Sequence, residues 1–435
     1  MNGPVCIIGA GASGLAAARA LDRCGISFDC FEKSDRSGGM WVFDNSISKS
    51  AAYRSLHLNS SRQRSGYSEF PMPQCLPDFP HHSDVAEYLM DYAKHFGLLS
   101  RISFKTEVIS AETNVDGSWK IHLKGREMRY YKALIVATGH HWKPNWPEPA
   151  FPGVFNGTQI HARDYIDPTD FAGKHVVVVG MGNSAMDIAS ECGTVAERTY
   201  LVARRGAYVI PKYLMGRTLD DFPIKPWIPW KIRQFVLSAL LRMQVGRPEL
   251  YGLPRPLHGP AQAHPTVSSE ILTRIGHGQV TPKPNISILA GDNVVFTDST
   301  QVRADVIVYC TGYKVCFPFF SSQLEDQIGY SAGKCSLFHN VASPNVKNLF
   351  LIGLIQPLGA VFPLVEVQSK WVAAWLAGEY KPPSIEMMRS QIERSESYRA
   401  RRYVNSPRHQ FEVDAPEYAY EVTVELRRGQ RRVRL

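Results

Sequence analysis

Two glycine-rich stretches carry the residue types and the spacing that hold a dinucleotide. The first is Gly9-Ala-Gly11-Ala-Ser-Gly14, and the second is Gly180-Met-Gly182-Asn-Ser-Ala185. In such a turn the first glycine allows the sharp change of direction, the second lets a pyrophosphate approach the backbone, and the third small residue lets the helix pack on the sheet. The helix N-terminus then faces the phosphates. The sequence therefore predicts two dinucleotide sites on one chain.

The residues that follow each turn distinguish the two dinucleotides. The strand after the first turn, FDCFE, ends at Glu32, where a carboxylate accepts hydrogen bonds from free ribose hydroxyls. The strand after the second turn, TYLVARR, ends at Arg204 and Arg205, and an arginine binds a 2′-phosphate through charge-assisted hydrogen bonds. We therefore predict FAD at the first site and NADPH at the second. The alternative for the arginine pair is a solvated strand end.

The elements around both turns predict the fold class. An apolar strand precedes each turn and a helix rich in small residues follows it. Two more buried strands, ALIVATG at 133–139 and ADVIVYCTG at 304–312, each end in Thr-Gly. This alternation predicts an α/β fold with two Rossmann-like domains.

The order of these elements along the chain predicts an insertion. We expect the FAD-binding domain to be discontinuous, with a first part at 1–165 and a second part at 301–435 that includes a basic C-terminal tail. The NADPH-binding domain, at 166–300, would be inserted between them. The strand that ends at the second Thr-Gly would then return to complete the FAD-binding domain.

Two stretches outside the turns predict helices. Residues 81–98 have a helical apolar period, with Asp84 and Glu87 as a capping pair and Gly97 at the end. Residues 226–243 are apolar with interspersed basic residues. For these we favour a helix that packs between domains over one that lies on a membrane surface.

Composition and charge limit the class of protein. The 435 residues are 44% hydrophobic and 20% charged, which is typical of a globular protein with more than one domain. No run approaches the ~18 apolar residues needed to cross a bilayer, and no signal peptide is recognisable. We therefore expect a soluble, cytoplasmic protein. The last nine residues hold five of the arginines behind the net charge of +9, and we favour a solvated, frayed tail over lipid or nucleic-acid contact.

The eight cysteines do not indicate a metal or redox centre. None forms a C-x-x-C pair, and none stands near histidines at zinc-binding spacing. We expect free thiols in a reducing compartment and no metal site.

The stretch FNGTQIHARDY carries a resemblance to a known family. Phe155, Gly157, His161 and Tyr165 match the fingerprint of the class B flavin-containing monooxygenases. The family's final basic residue is replaced by Ile166. The Baeyer–Villiger branch has tryptophan where Tyr165 stands, so the chain resembles the branch that oxygenates nitrogen and sulfur.

Further motifs occur in the family's order, from the loop RSGGMW at 36–41 to the late pair Glu366 and Gln368. The animal members' membrane-anchoring C-terminal helix is not recognisable, which favours a soluble, bacterial type of member. The resemblance also allows a homodimer.

The resemblance implies which residues form the site. Family members have an asparagine beside the flavin ring, and in YRSLHLNSSR the matching residue is Asn59, which we predict to be catalytic and to contact the cofactors. It further implies a set of cofactor-binding positions, which are Ala12, Ser13, Lys33, Gly39, Trp41, Val108, Thr138, Gly139, Asn183, Ser184, Thr311, Gly312 and Gln356.

The mechanism implied by the resemblance begins with reduction of FAD by NADPH. Oxygen then adds to give a C(4a)-hydroperoxyflavin, which bound NADP⁺ shields. A small-molecule nucleophile such as an amine or a sulfide takes one oxygen atom. Asn59 would donate a hydrogen bond in this dry site.

Other activities use the same two cofactors. A flavin disulfide reductase needs a cysteine pair at C-x-x-C or C-x-x-x-x-C spacing, and neither occurs. An NADPH oxidase that releases hydrogen peroxide stays open, as does Baeyer–Villiger oxygenation of a ketone. A redox-sensing protein without catalysis would keep the turns but would not need Asn59.

Overall fold

The computed structural model describes residues 3–43, 47, 50–125, 128–222, 227–331, 334–404 and 411–435. The chain divides into two compact units. Unit 1 comprises Met1–Ser50, Ser60–Trp142 and Val315–Leu435, and unit 2 comprises Ala51–Asn59 and Lys143–Lys314.

The described part of the chain contains ten α-helices and six short 3-10 helices. The α-helices are α1 (Ala12–Arg23), α2 (Arg62–Ser65), α3 (His82–His95), α4 (Asn183–Val195), α5 (Trp230–Gln244), α6 (Ile271–Gly276), α7 (Ser322–Gln327), α8 (Phe362–Leu376), α9 (Ile385–Arg402) and α10 (Ala415–Arg434). The 3-10 helices are Gly39–Trp41, Leu98–Arg101, Ala162–Asp164, Pro168–Phe171, Leu219–Asp221 and Pro248–Tyr251.

The strands of the described residues are short, and many contain only two to four residues. They are β1 (Val5–Ile8), β2 (Phe28–Phe31), β3 (Ile102–Ser103), β4 (Val108–Thr113), β5 (Trp119–Leu123), β6 (Met128–Tyr131), β7 (Ala133–Val136), β8 (Lys143–Pro144), β9 (Gly153–Phe155), β10 (Thr158–His161), β11 (His175–Val179), β12 (Arg198–Val202), β13 (Val209–Ile210), β14 (Tyr213–Leu214), β15 (Arg217–Thr218), β16 (Thr266–Val267), β17 (Val280–Lys283), β18 (Ile286–Gly291), β19 (Asn293–Phe296), β20 (Gln301–Arg303), β21 (Val306–Tyr309), β22 (Tyr313–Lys314), β23 (Leu349–Leu351), β24 (Gln356–Leu358) and β25 (Glu412–Asp414).

Unit 1 is built on a parallel sheet with the strand order β23-β7-β1-β2-β3. The strands β1 and β7 are buried along their whole length, as expected for a sheet covered on both faces. Helix α1 packs against α8, and α8 packs against α10. An antiparallel sheet, β4-β5-β6, contributes the fully buried Trp119 to the same core.

Unit 2 repeats this plan with the parallel order β10-β21-β11-β12-β17. A second sheet, β20-β19-β18-β9, covers part of it through a core that includes Ile286, Val294 and Phe296. Two Rossmann-type sheets are therefore present, and the predicted fold class is confirmed.

The predicted domain boundaries at 165/166 and 300/301 differ from the limits of the two units. Strand β10, assigned to the first part of the FAD-binding domain, is an edge strand of the unit 2 sheet. Strand β21 lies between β10 and β11 in that sheet and does not return to unit 1. Each strand that precedes a glycine turn has two parallel neighbours. These are β2 and β7 for β1 in unit 1, and β12 and β21 for β11 in unit 2.

Two predicted helices differ in detail. In α3 the capping box joins His81 and Asp84, one turn earlier than the predicted pair of Asp84 and Glu87. Helix α5 exposes most of its apolar side chains and buries only Leu241, with Phe235 at 74% exposure. The prediction that this helix packs between domains stays a prediction. Of the described helices, none is both long enough and apolar enough to span a membrane.

The basic tail is helical, so the prediction that it is frayed is wrong, although four of its five arginines are exposed. Residues 427–434 form the last turns of α10, where Gly429 is buried against the ring of Tyr380. Arg432 donates to the carbonyl oxygen of Lys381 at 2.9 Å and pairs with Glu425. The arginines of the tail therefore include one that fixes the helix to the rest of unit 1.

Candidate active site

The first glycine turn has the geometry that a close backbone approach requires. Gly9 has a φ of +102°, and a Cβ there would lie 2.7 Å from the carbonyl oxygen of Ala137. A Cβ on Gly14 would lie 1.8 Å from the carbonyl oxygen of Gly9. Gly11 precedes α1, which begins with neither a side-chain cap nor an acidic residue. The N-terminus of α1 thus suits a bound anion, and the turn fits the pyrophosphate of a dinucleotide.

The loop that carries Gly39 lies directly against this turn. A Cβ on Gly39, which has a φ of +57°, would lie 3.0 Å from the Cα of Gly11. The amide of Gly38 donates to the carbonyl oxygen of Ala10 at 3.1 Å. Trp41 ends the 3-10 helix of the same loop. The structure therefore brings the predicted positions Gly11 and Gly39 together, with Trp41 in the same loop as Gly39.

Glu32 is the buried carboxylate at the end of β2. One oxygen accepts the amide of Ala10 at 2.7 Å, and the other accepts the amide of Ser34 at 2.8 Å. An ionised carboxylate has about four acceptor positions, so two remain for ribose hydroxyls. Glu32 therefore has a second role that the sequence did not predict, which is to fix the glycine turn.

A buried network joins the late motifs to the first turn. The side chain of Gln368 accepts the amide of Gly353 at 2.9 Å and donates to the hydroxyl of Tyr418 at 2.6 Å. A Cβ on Gly353 would lie 2.1 Å from Oγ of Ser13, so only glycine fits beside α1 there. The sequence analysis did not identify Gly353. The pattern that could have identified it is the glycine in the apolar stretch LIGL, which begins with the last residue of β23.

The other predicted positions of unit 1 lie at strand ends. Thr138 and Gly139 follow β7, Val108 begins β4, and Gln356 begins β24. Lys33 pairs with Glu107 at 2.7 Å and keeps the pKa of that carboxyl below its usual range. Lys33 is thus engaged by Glu107 on the surface, and the cofactor contacts of these positions stay predictions.

The second turn reproduces the first. Gly180 has a φ of +143°, and a Cβ there would lie 2.6 Å from the carbonyl oxygen of Cys310. Gly182 precedes α4, which also begins without a side-chain cap or an acid, and Ala185 is fully buried. The side chain of Asn183 accepts the amide of Val267 at 2.8 Å, which fixes β16 beside the turn. Ser184 is half-buried in the first turn of the helix.

Arg204 and Arg205 lie two and three residues beyond β12, and both are exposed. Glu32, by contrast, is 9% exposed at the corresponding end of β2. The two sheets therefore present a buried acid in one case and exposed guanidinium groups in the other. The prediction of FAD at the first turn and NADPH at the second was based on this difference between the two strand ends.

Thr311 and Gly312 belong to unit 2, where the fingerprint histidine holds Gly312 and Asn145 holds Thr311. The ring of His161 accepts the amide of Arg163 at its Nδ1 atom, so Nε2 carries the proton and donates to the carbonyl oxygen of Gly312 at 3.0 Å. Burial lowers the pKa of His161. The hydroxyl of Thr311 donates to the carbonyl oxygen of Asn145. His161 is therefore a neutral structural group at the ends of β10 and β21.

The fingerprint tyrosine lies against α4. The hydroxyl of Tyr165 donates to Glu191 at 2.5 Å, and burial raises the pKa of Tyr165. Asp187, one turn earlier on α4, accepts the hydroxyl of Tyr53, and burial raises the pKa of this carboxyl to about 6. Sequence reasoning missed Asp187 and Glu191, although two acids four residues apart on a helix of small residues were a visible signal.

Asn59 is the last residue of the short segment that joins unit 2. It is half-buried, and its neighbour Leu58 is buried. This segment belongs to unit 2, although the residues that precede it and those that follow it belong to unit 1.

The described cysteines and carboxylates hold no redox or metal centre. All eight cysteines are free thiols, and burial raises the pKa of six of them, which are Cys6, Cys24, Cys30, Cys192, Cys310 and Cys335. Within the described ranges no group of three or more histidine, cysteine, aspartate or glutamate side chains could hold a metal ion. These six thiols are thus poor nucleophiles at neutral pH.

Comparison with known proteins decides the family. The sequence model of the flavin-binding monooxygenase-like family matches residues 3–428. The chain belongs to this family. It is 35% identical to flavin-containing monooxygenase 5 of Rattus norvegicus over 94% of the chain and 80% of that protein. It is 32% identical to dimethylaniline monooxygenase [N-oxide-forming] 2 of the same species over 97% of the chain and 82% of that protein.

Solved structures show the same fold. S-allyl-L-cysteine S-oxygenase from Allium sativum is 24% identical, with a TM-score of 0.74 over 98% of this chain and 89% of that chain. The open structure of cyclohexanone monooxygenase is 16% identical, with a TM-score of 0.75 over 99% of this chain and 98% of that chain.

Membership in this family makes the chain an enzyme, a flavoprotein monooxygenase that uses FAD and NADPH. The predicted family, cofactors and enzyme class are thereby confirmed. The curated relatives do not favour the Baeyer–Villiger alternative.

Proposed function

We propose that the enzyme transfers one oxygen atom of O2 to a soft nucleophile, an amine nitrogen or a sulfide sulfur, with FAD at the first turn and NADPH at the second. Two relatives support this substrate class by their names, the N-oxide-forming dimethylaniline monooxygenase and the S-oxygenase of Allium sativum. Tyr165 supports it too, since the Baeyer–Villiger fingerprint has tryptophan there.

One observation carries the assignment of the two cofactors. Both parallel sheets end in a glycine turn and a helix without a cap, yet the next strand ends at a buried carboxylate in unit 1 and at exposed arginines in unit 2. Glu32 has acceptor positions left for ribose hydroxyls, whereas Arg204 can pair with a 2′-phosphate.

FAD, when bound, supplies the redox chemistry that activates oxygen. The residues of the chain bind and orient the groups around it. The amides at the start of α1, which has no side-chain cap, would hold the phosphates of FAD, and those at the start of α4 would hold the phosphates of NADPH.

Asn59 is the side chain that we propose for the oxygen-transfer step. Its amide nitrogen can donate and its oxygen can accept, so it can orient NADP⁺ and stabilise negative charge that develops on oxygen. Its segment belongs to the same compact unit as the second turn, which supports a role beside the nicotinamide dinucleotide. The cytoplasmic location and the homodimer stay predictions of the sequence.

Asn59→Ala tests this function. Loss of an aimed donor in a dry site costs about 3 kcal/mol in the step that it serves. We expect a variant that keeps its FAD and still consumes NADPH, but releases hydrogen peroxide in place of sulfoxide from a simple thioether. Asn59→Asp should be no better, because a carboxylate cannot donate.

Asn156→Ala is the matched control. Asn156 lies in the same unit and donates to Asp292 at 3.0 Å on the surface. This variant should keep the wild-type ratio of sulfoxide to peroxide. Wild-type ratios in both Asn59 variants would remove Asn59 from the reaction.

A further inference from the structure

The segment Ala51–Asn59, here called the Asn59 segment, joins unit 2 by side-chain and backbone contacts. The residues on both sides of it belong to unit 1. Chain continuity therefore does not explain its place, and specific contacts must hold it. These contacts involve Tyr53, Arg54 and Ser55.

Tyr53 forms the most buried of these contacts. Its side chain is 2% exposed and packs in the core of unit 2 with Ala185 and Met186. The hydroxyl of Tyr53 donates to Asp187. Burial and the neighbouring Asp187 carboxylate raise the pKa of Tyr53, so the hydroxyl keeps its proton and stays a donor. A buried hydrogen bond to a carboxylate is among the stronger ones in proteins.

The fingerprint supplies the second side of the contact. The rings of Tyr53 and Tyr165 meet edge to face, with their centroids 6.0 Å apart. The carbonyl oxygen of Ile166 accepts the backbone amide of Arg54 at 2.9 Å. The Nε atom of Arg54 donates to the carboxylate of Asp167, also at 2.9 Å. The end of the fingerprint therefore holds the Asn59 segment through its backbone, which an isoleucine at 166 does as well as a basic residue.

Helix α4 carries both the second glycine turn and the side chains that anchor the Asn59 segment. Its N-terminus forms the second glycine turn, and its side carries Asp187 and Glu191 one turn apart. Glu191 accepts the hydroxyls of both Ser55 and Tyr165. One rigid helix thus carries the dinucleotide turn at its end and the anchor of the Asn59 segment on its side.

We propose that Tyr53 and Asp187 form a positioning clamp, which fixes the Asn59 segment on α4 and so sets where Asn59 stands relative to the second turn. This inference rests on the proposed role of Asn59. Tyr53 is a positioning residue here, and it touches neither the substrate nor the cofactor in this account. Half-buried Leu56 packs against the same core as Tyr53 and extends the attachment along the segment toward Asn59.

The test is Tyr53→Phe in the flavin-loaded enzyme. The variant keeps the ring in the core and removes only the hydroxyl. Loss of a hydrogen bond to a charged group changes a local equilibrium by roughly ten-fold or more. We expect faster amide hydrogen exchange in residues 51–59 and a several-fold rise in peroxide released per NADPH, with FAD content unchanged.

Tyr251→Phe is the matched control. Tyr251 packs against the same core, and its hydroxyl donates to the carbonyl oxygen of Val245 at 2.8 Å. Its loss should leave both the exchange of the Asn59 segment and the peroxide ratio unchanged. Two variants of Asp187 give a second test, which distinguishes loss of the clamp from misfolding. Asp187→Asn keeps an oxygen that accepts the hydroxyl of Tyr53, whereas Asp187→Ala does not. Asp187→Asn should therefore release less peroxide per NADPH than Asp187→Ala.

The double variant Tyr53→Phe/Asn59→Ala decides whether the clamp acts through Asn59. If it does, the double variant is no more uncoupled than Asn59→Ala alone. Additive effects would overturn the clamp, and so would a wild-type peroxide ratio in Tyr53→Phe beside an uncoupled Asn59→Ala. A wild-type ratio in Asn59→Ala itself would instead refute the proposed role of Asn59, and the clamp with it.

Discussion

At the scale of single residues, the two strand ends differ in charge and in burial. Glu32 is buried and already accepts two backbone amides, whereas Arg204 and Arg205 are exposed. An exposed guanidinium can close on a phosphate without disturbing the core. A buried acid, in contrast, is part of the turn that it serves. We therefore expect Glu32 to be intolerant of change and Arg204 to control the choice of coenzyme.

Arg204→Ala tests that choice. Loss of a charged hydrogen bond to the 2′-phosphate costs roughly 1.5–3 kcal/mol, or about 10- to 100-fold in affinity. The Michaelis constant for NADPH should rise by that factor, while the constant for NADH should hardly change. Steady-state kinetics with both coenzymes measure it, with Arg205→Ala in parallel. Equal effects on the two coenzymes would contradict the assignment of Arg204.

The residues that the sequence predicted well are those whose role is local. Gly9, Gly14 and Gly180 have the conformations and close approaches that their motif requires. Tyr53 and Asp187 were missed because they are 134 residues apart, and no local pattern joins them. The second role of Glu32, as the acceptor for Ala10, was missed for a similar reason.

At the scale of elements, α10 shows why the tail was misjudged. Five arginines in nine residues resemble a solvated terminus, but the decisive contact is between Gly429 and Tyr380, which the sequence does not link. Tyr380 also donates to Glu425 at 2.8 Å, and Tyr418 of the same helix meets Gln368 beside Gly353. Helix α10 therefore supports the loop that packs on α1.

Gly429→Ala tests the role of this helix. A Cβ there would lie 1.9 Å from the ring of Tyr380, so the helix or the ring must move. Overpacking of this kind costs about 1–3 kcal/mol, and thermal unfolding should show it as a lower melting temperature and weaker retention of FAD.

Gly276→Ala is the control for Gly429→Ala. Gly276 ends α6, and a Cβ there would have no neighbour within 4 Å. This substitution should be neutral or slightly stabilising, since alanine favours the helix more than glycine does. Equal stability of the Gly429→Ala and Gly276→Ala variants would show that the last turns of α10 are a loose tail, as the sequence predicted for residues 427–435.

At the scale of the whole molecule, the sequence predicted two dinucleotide folds but not their limits. The strands ALIV and VIVY both precede Thr-Gly, so their sequences do not tell which sheet each one joins. In the structure each of them pairs with the turn-bearing strand of its own unit, β7 with β1 and β21 with β11. The contribution of residues 51–59 to unit 2 was also unpredictable, since it depends on contacts between distant residues.

The central claim is that one atom of O2 reaches the substrate. The flavin-loaded enzyme should be given NADPH, a simple thioether and isotopically labelled dioxygen, and the sulfoxide should be analysed by mass spectrometry. We predict that the label appears in the sulfoxide and that sulfoxide formed nearly equals NADPH consumed. If a simple tertiary amine gives no labelled product either, and NADPH is consumed with all reduced oxygen released as hydrogen peroxide, the enzyme is an oxidase and the account is wrong.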